Sequence, residues 1–231
     1  MSFNSMKAAF KDRYPGLVRI IHLTRYELQS ASVSWIGKVS PRSIVSRRRL
    51  RKARGLRVNI ASGNSINPGW INIDITPSAD IRIDIRKGLP LRSGSAALIF
   101  CEHFCDHISY PENIKRFLAE CHRVLEPGGR ARFVLHDAAD LMRAYVERDE
   151  HYFAVTEEPH PTMIEIVNFF FRMNDFHQFL YDFDLFRDLL LKAGFSRVIR
   201  CNYRESENAE LILDFTHPSR EIASMYVEAV R

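Results

Sequence analysis

The sequence predicts an α/β domain. The expected architecture is a mostly parallel sheet with helices on both faces, a last strand running antiparallel, and a basic helical arm at the N-terminus. Three observations carry this reading. From Arg57 onward, apolar runs of strand length alternate with segments of helical period, the pattern of a parallel sheet covered by helices. The 46% hydrophobic content supplies a core for one sizeable domain. Charge is divided: residues 1–54 hold 13 Lys and Arg against two acids, Asp12 and Glu27, whereas residues 55–231 hold 20 against 26. A basic arm and connector, residues 1–56, therefore precede the domain proper, residues 57–231.

The elements follow in order. Residues 1–34 read as partly helical, with Leu17, Val18, Ile21 and Leu28 as candidate apolar contacts. Residues 35–56 read as an irregular basic connector broken by Gly37, Pro41 and Gly55. Its densest run, Arg47, Arg48, Arg49, Arg51, Lys52 and Arg54, suits nucleic acid, an anionic membrane surface or glycolipid, or an acidic substrate, or is a solvated arm or one docked on the acidic body or a sister subunit. No aromatic residues interleave with the run to stack bases, which argues against nucleic acid. Strands are predicted at 57–60, 71–74, 81–84, 97–101 and 131–135, and two late ones at 197–203 and 224–230. A helix is predicted from about Pro111 to Leu125. Ser109 and Glu112 would form a capping box, and Ile114, Phe117, Leu118, Cys121, Val124 and Leu125 one buried stripe, with Pro127-Gly128-Gly129 as the stop. Further helices are predicted near 138–148 and 183–193, the latter closed by Gly194 at C′. Residues 150–181 form an aromatic-rich insertion suited to a lid. It includes His160, Phe169, Phe170, Phe171, Phe179 and Tyr181, which would either line a sugar site or fill the core.

The most informative stretch is 57–74. A buried strand, a loop of small residues and a second strand ending on Asp74 suit a ribose-bearing cofactor. Only ten residues, 61–70, separate the two strands, and Pro68-Gly69 discourages a helix there. A dinucleotide pyrophosphate wants a helix N-terminus. S-adenosylmethionine carries ribose and adenine but no phosphate, so the short loop counts against NAD and is neutral for S-adenosylmethionine.

Residues 57–137 resemble class I S-adenosylmethionine-dependent methyltransferases of Rossmann-like fold. More narrowly, they resemble small bacterial methyltransferases associated with polysaccharide and glycan synthesis. The resemblance rests on Ile60-Ala61-Ser62-Gly63, Pro68-Gly69-Trp70, Asn72-Ile73-Asp74, Asp84 with Leu89-Pro90-Leu91, the run Ala97–Ile108 containing Glu102-His103, and Glu120–Gly129. Gly194-Phe195 and Tyr226–Ala229 extend it to about three quarters of the chain. Two departures stand out: Ala61 replaces a glycine, and Asn59 sits where many members have an acid. The resemblance implies that Ala61, Ser62 and Gly63 border the methionine part of the cofactor, with Asn59 beside them. Asp74 would accept both ribose hydroxyls, Asp84 would bind the adenine amino group with Ile85 against the ring, and Glu102 and His103 would lie near the amino end. As plain alternatives, Asp74 and Asp84 are loop or cap acids.

Methyl transfer to a hydroxyl needs in-line alignment and removal of a proton. His136 and Asp137 follow the fifth strand. Either could serve as base, or the pair could hold a divalent ion such as Mg2+ that acidifies the hydroxyl; Asp137 is equally a helix cap. His177 is the second candidate base, or a structural histidine. Cys101, His103, Cys105 and His107 lack the spacing of a zinc finger, so no metal-ligand set is assigned from them. The leading expectation is an O-methyltransferase acting on a small-molecule or glycan hydroxyl. Competing readings are an RNA methyltransferase using the basic arm and a non-catalytic binding protein, motivated by Ala61 and Asn59. Four cysteines without disulfide spacing predict a reducing cytoplasm, and a homodimer is compatible with the arm.

Overall fold

The computed structural model describes residues 13–39, 50, 52–155 and 162–231. Its centre is a seven-stranded sheet of β1 (Leu56–Ile60), β2 (Ile71–Asp74), β3 (Ile81–Arg82), β4 (Ala96–Glu102), β5 (Leu125–His136), β6 (Arg197–Cys201) and β7 (Ser224–Val230), in the order β3-β2-β1-β4-β5-β7-β6. The first five strands are mutually parallel, and β7 runs antiparallel between β5 and β6. The strand order reverses between β1 and β4, so their C-terminal ends, at Ile60 and Glu102, open onto a crevice.

The helices are α1 (Pro15–Val39), α2 (Glu112–Val124), α3 (Ala138–Glu147), α4 (Glu150–Ala154), α5 (Met163–Arg172), α6 (Phe183–Lys192) and α7 (Pro218–Ala223). Strand residues alternate faces. Val58, Ile60, Ile73, Ile99, Cys101, Phe133, Leu135 and Val227 pack with Ile114, Leu118, Phe186 and Leu190 of α2 and α6 into one core. The opposite face is covered differently. Trp70, Leu98, Phe100, Val134 and Tyr226 meet Leu211 and Leu213 of a connecting segment rather than a long helix. Arg132 on that face is fully buried and pairs with Asp214 at 2.7 Å and Glu228 at 3.0 Å, which ties the segment after β6 to the sheet.

Several local expectations need correction. The capping box at Ser109 and Glu112 does not form: α2 has Pro111 at its N-cap without a side-chain bond, and Ser109 Oγ accepts from Asn113 instead. The helix ends at Val124, before Pro127. Gly129 is required for another reason, since a Cβ there would stand 2.8 Å from Glu126 O and 3.1 Å from Ala96 O. β3 stops at Arg82, because Asp84 turns to cap the short helical turn Ile85–Lys87. β6 likewise stops at Cys201, two residues before the predicted end. The helix α1 continues to Val39, into the predicted connector. Leu17, Ile21 and Leu28, expected as contacts, are exposed, and among the described side chains of α1 Ser30 and Val33 are buried. Arg47, Arg48, Arg49, Arg51 and His160 lie outside the described residues. The predicted absence of a helix in 61–70 holds: the segment is a series of turns.

Candidate active site

The 61–70 loop is held by its own amides. Asn59, buried on β1, donates from Nδ2 to Ser65 O (3.1 Å) and to Asn72 Oδ1 (3.0 Å), and Asn72 Oδ1 also accepts from Asn67 N (3.0 Å). Asn72 Nδ2 in turn donates to Asp80 (2.9 Å) and Trp70 O (3.2 Å). An acid at position 59 has no proton to give Ser65 O, so the asparagine is fixed by the loop it braces. Its amide is committed there, although the residue borders the crevice. Ala61 begins the loop at φ +56°, in the left-handed region that favours glycine.

Asp74 sits at the end of β2. Its Oδ2 accepts from Gly63 N (3.0 Å) and its Oδ1 from Thr76 N (2.9 Å). A carboxylate has about four lone-pair sites, so both oxygens keep acceptor capacity. Asp74, Ile75, Ile83, Asp84, Ile85, Phe104, Ile108 and Gln178 line a cleft of about 600 Å³, within the usual range for small-molecule sites. Glu27 of α1 borders the same cleft.

Asp84 is buried and heavily engaged. It accepts from Ser30 Oγ (2.5 Å), from Arg86 N and Nε (3.1 and 2.9 Å) and from Arg86 Nη2 (3.0 Å). Burial opposes its charge, but the Arg86 and Ser30 bonds win and hold its carboxyl below the usual range. Arg86 also takes Glu27 bidentately (2.7 and 3.1 Å). The adenine-binding residue expected from sequence is thus also the anchor of α1.

A second depression, about 380 Å³, is lined by Asn59, Ala61, Ser62, Glu102, His103, Phe215 and Arg220. Glu102 faces Arg220 at 3.2 Å and accepts from Phe215 N at 3.3 Å. Burial nonetheless pushes its carboxyl up. Ser62 Oγ is buried there with no hydrogen-bond partner.

A third, smaller hollow of about 110 Å³ lies between His103, His107, His136, Phe169, Phe170, Met173, His177 and Arg220. It shares His103 and Arg220 with the second depression and His107 with the cleft. His103 and His136 have ring centroids 4.3 Å apart, His136 and His177 5.3 Å, and His107 and His177 4.9 Å. Burial depresses all four imidazoles, His103 well below its usual value, His136 to about 3 and His177 to about 4. A carbonyl only accepts, so the bonds from His136 Nδ1 to Ala223 O (3.4 Å) and from His177 Nδ1 to Phe170 O (2.5 Å) fix both rings as Nδ1–H tautomers. Each keeps an Nε2 lone pair.

Asp137 does not join this pocket as a free carboxylate. Its Oδ1 caps α3 by accepting from Ala139 N (2.9 Å) and Asp140 N (3.3 Å), and its Oδ2 meets Arg200 at 2.7 Å. Asp137 thus spends its carboxylate on α3 and Arg200 rather than on His136. Asp106 is the carboxylate beside the histidines: fully buried, it receives His136 N at 3.4 Å and stands 3.8 Å from His103 Nδ1. Burial pushes it up to about 8. Sequence reasoning missed Asp106 and Arg220. Asp106 stands three residues after His103, and the short turn Cys105–His107 brings it back toward that ring. Nothing local marked Arg220.

The fold and these three linked hollows define a class, an α/β domain that presents a cleft of small-molecule size and a histidine-lined pocket at its strand C-termini. Residues 60–133, which include part of the cleft lining, match the family described as a methyltransferase domain. Comparison with curated proteins returns no match. Among solved structures, the chain is similar to an S-adenosylmethionine-dependent methyltransferase of Archaeoglobus fulgidus (13% identity, 85% of this chain and 98% of that one, TM-score 0.49). It is similar to a possible histamine N-methyltransferase of Thermotoga maritima (15%, 96% and 98%, TM-score 0.45). It also matches phosphoethanolamine N-methyltransferase 2 of Haemonchus contortus (11%, 84% and 52%, TM-score 0.46), of which it spans about half the length.

Proposed function

We propose that the chain is an S-adenosylmethionine-dependent O-methyltransferase whose acceptor is a hydroxyl of a sugar or of an oligo- or polysaccharide. The methyltransferase domain at 60–133 supports the enzyme class and the cofactor. The observation that carries the reading further is the junction at His103 and His107, where the cofactor-sized hollows meet the histidine pocket.

When bound, S-adenosylmethionine supplies a methyl group on a sulfonium. Asp74 receives the ribose hydroxyls on its remaining lone pairs, each such charge-assisted bond contributing about 1.5–3 kcal/mol. Ile85 and Ile83 offer the adenine an apolar wall. The Glu102–Arg220 pair complements an ammonium and a carboxylate on the methionine end, and Ser62 Oγ offers a further bond. Phe169, Phe170 and Met173 exclude water from the acceptor. His177, neutral and anchored through Nδ1, takes the hydroxyl proton at Nε2.

The basic residues Lys52 and Arg54 are the described remnant of the run proposed to meet an anionic membrane or glycolipid, and Arg54 bonds Gly94 O at 2.9 Å. Among the described residues no helix is long and apolar enough to cross a membrane. The exposed apolar residues of α1, Leu17, Ile21, Leu28 and Trp35, support a homodimer, which sedimentation tests. Four free cysteines support a cytoplasmic setting. The decisive assay is methyl transfer from labelled S-adenosylmethionine to a panel of sugars and glycans, with and without magnesium. Label in an acceptor hydroxyl is the expected result, and cofactor binding without transfer to any hydroxyl would contradict the substrate class.

A further inference from the structure

Three side chains in the histidine pocket are arranged as metal ligands. One donor atom from each of His103, Asp106 and His136 lies within 4.8 Å of the other two. The set is sheltered: His136 is 9% exposed and Asp106 0%. Two of its polar atoms, His103 Nδ1 and Asp106 Oδ1, are buried with no hydrogen-bond partner among the described residues. Leaving one such group unpaired costs about 1–3 kcal/mol, so two in one cluster call for a ligand that satisfies both.

The surroundings have the form of an outer ligand shell. Metal-bound histidines usually give their other ring N–H to a carbonyl or similar acceptor, which fixes the lone pair toward the ion. His136 does so through Nδ1 to Ala223 O (3.4 Å). His103 has Ser224 Oγ at 3.1 Å from Nε2, on the ring edge opposite its orphaned Nδ1. Both outer partners, Ala223 and Ser224, come from the junction of α7 and β7, so one segment orients both imidazoles.

We infer that His103, Asp106 and His136 bind a single divalent transition cation of the zinc class, through two imidazoles and one carboxylate. Zinc holds such ligands at about 2.0–2.2 Å, which sets them roughly 3.4 Å apart in a tetrahedron, so a pair at the 4.8 Å limit must close by roughly 1.4 Å. Three protein ligands leave one position open, and two of the three, His103 and His136, line the 110 Å³ hollow, which has room for a few waters or one acceptor group. The inference goes beyond the methyl-transfer reading, because the ion would bind whether or not a methyl acceptor enters.

The test titrates the full chain, stripped with a chelator, with Co2+ while its visible absorption is followed, then displaces Co2+ with Zn2+. One equivalent per chain is expected. Asp106→Asn, His136→Gln and His103→Asn should each weaken binding by at least roughly 100-fold. Asn is chosen at 103 because the residue sits at φ +46° and asparagine tolerates that region. His122→Gln, on α2 beside Gly194, should bind as the parent does. Thermal melting of each variant with and without Zn2+ separates lost binding from lost folding: the parent should melt higher with metal, the three variants unchanged. No saturable cobalt signal in the parent, or full binding in all three variants, would overturn the site. S-adenosylmethionine calorimetry on the same metal-free protein keeps the two readings apart, since cofactor binding with no cobalt binding removes only the metal.

Discussion

The two ends of the crevice are built on opposite principles. At the β1–β2 end, the polar groups other than Ser62 Oγ are largely bonded within the protein: Asn59, Asn72 and Asp80 knit the loop, and Asp74 holds Gly63 N and Thr76 N. At the β4–β5 end, His103 Nδ1 and Asp106 Oδ1 are buried without partners. The first end is a finished scaffold that offers spare lone pairs. The second is an unfinished polar cluster that needs an occupant. Recognition of a common cofactor suits the former, and chemistry on a particular acceptor suits the latter.

Substitutions can break this contrast, and the largest effect belongs to the histidine pocket. His177→Gln should lower kcat by roughly 10²–10⁴-fold while the dissociation constant for S-adenosylmethionine stays within about twofold. A parallel loss of cofactor affinity would mean that the two ends are not separable. Asp74→Ala should do the reverse, weakening cofactor binding by about 3 kcal/mol, roughly 100-fold, when two charge-assisted bonds are lost. Calorimetry reads this directly.

Asn59→Asp sharpens the scaffold side. The new carboxylate would face Ser65 O and Asn72 Oδ1, both acceptors, with no proton to offer. A loss of about 1–3 kcal/mol in denaturant stability is expected. Ala61→Gly should act the other way, by relieving a left-handed alanine worth about 1 kcal/mol. If the melting temperature falls instead, the strain assigned to Ala61 is absent.

The smallest effect concerns α1. Asp84 has a folded carboxyl below its ordinary value. A group depressed in the folded state contributes stability that is present above its unfolded value of 3.8 and is lost as pH falls through the folded value. Acid titration below about pH 4 should therefore weaken the hold of Asp84 on Ser30 and Arg86. Tryptophan fluorescence of Trp35, exposed on α1, should respond in the parent and already be shifted in Ser30→Ala.

The scaffold end was legible in the sequence because its parts are contiguous. Strand periodicity located β1, β2, β4, β5 and β7 within one or two residues at most of their edges, apart from the early start of β5 at Leu125. The ten-residue spacing of 61–70, with Pro68-Gly69, pointed to no helix or a single turn there, and the segment is a series of turns. The pocket end was less legible because it is assembled from Asp106, His136, His177 and Arg220, which are far apart in the chain. His136 and His177 could be nominated by position, but Asp106 and Arg220 needed the fold. The division of labour between His136 and Asp137 also required three dimensions, since only the backbone geometry shows that Asp137 caps α3 and pairs with Arg200. The contacts of α1 were misjudged because apolar residues alone were counted: its buried anchor is Ser30, held by Asp84, with Val33 beside it.

The central claim is that the β1–β2 end holds S-adenosylmethionine with Asp74 on its ribose. Titration calorimetry of the full chain with the cofactor tests it most directly. Saturable binding of one equivalent, weakened roughly 100-fold by Asp74→Ala, is the predicted result. No heat of binding at millimolar cofactor, or an Asp74→Ala variant that binds as tightly as the parent, would contradict it.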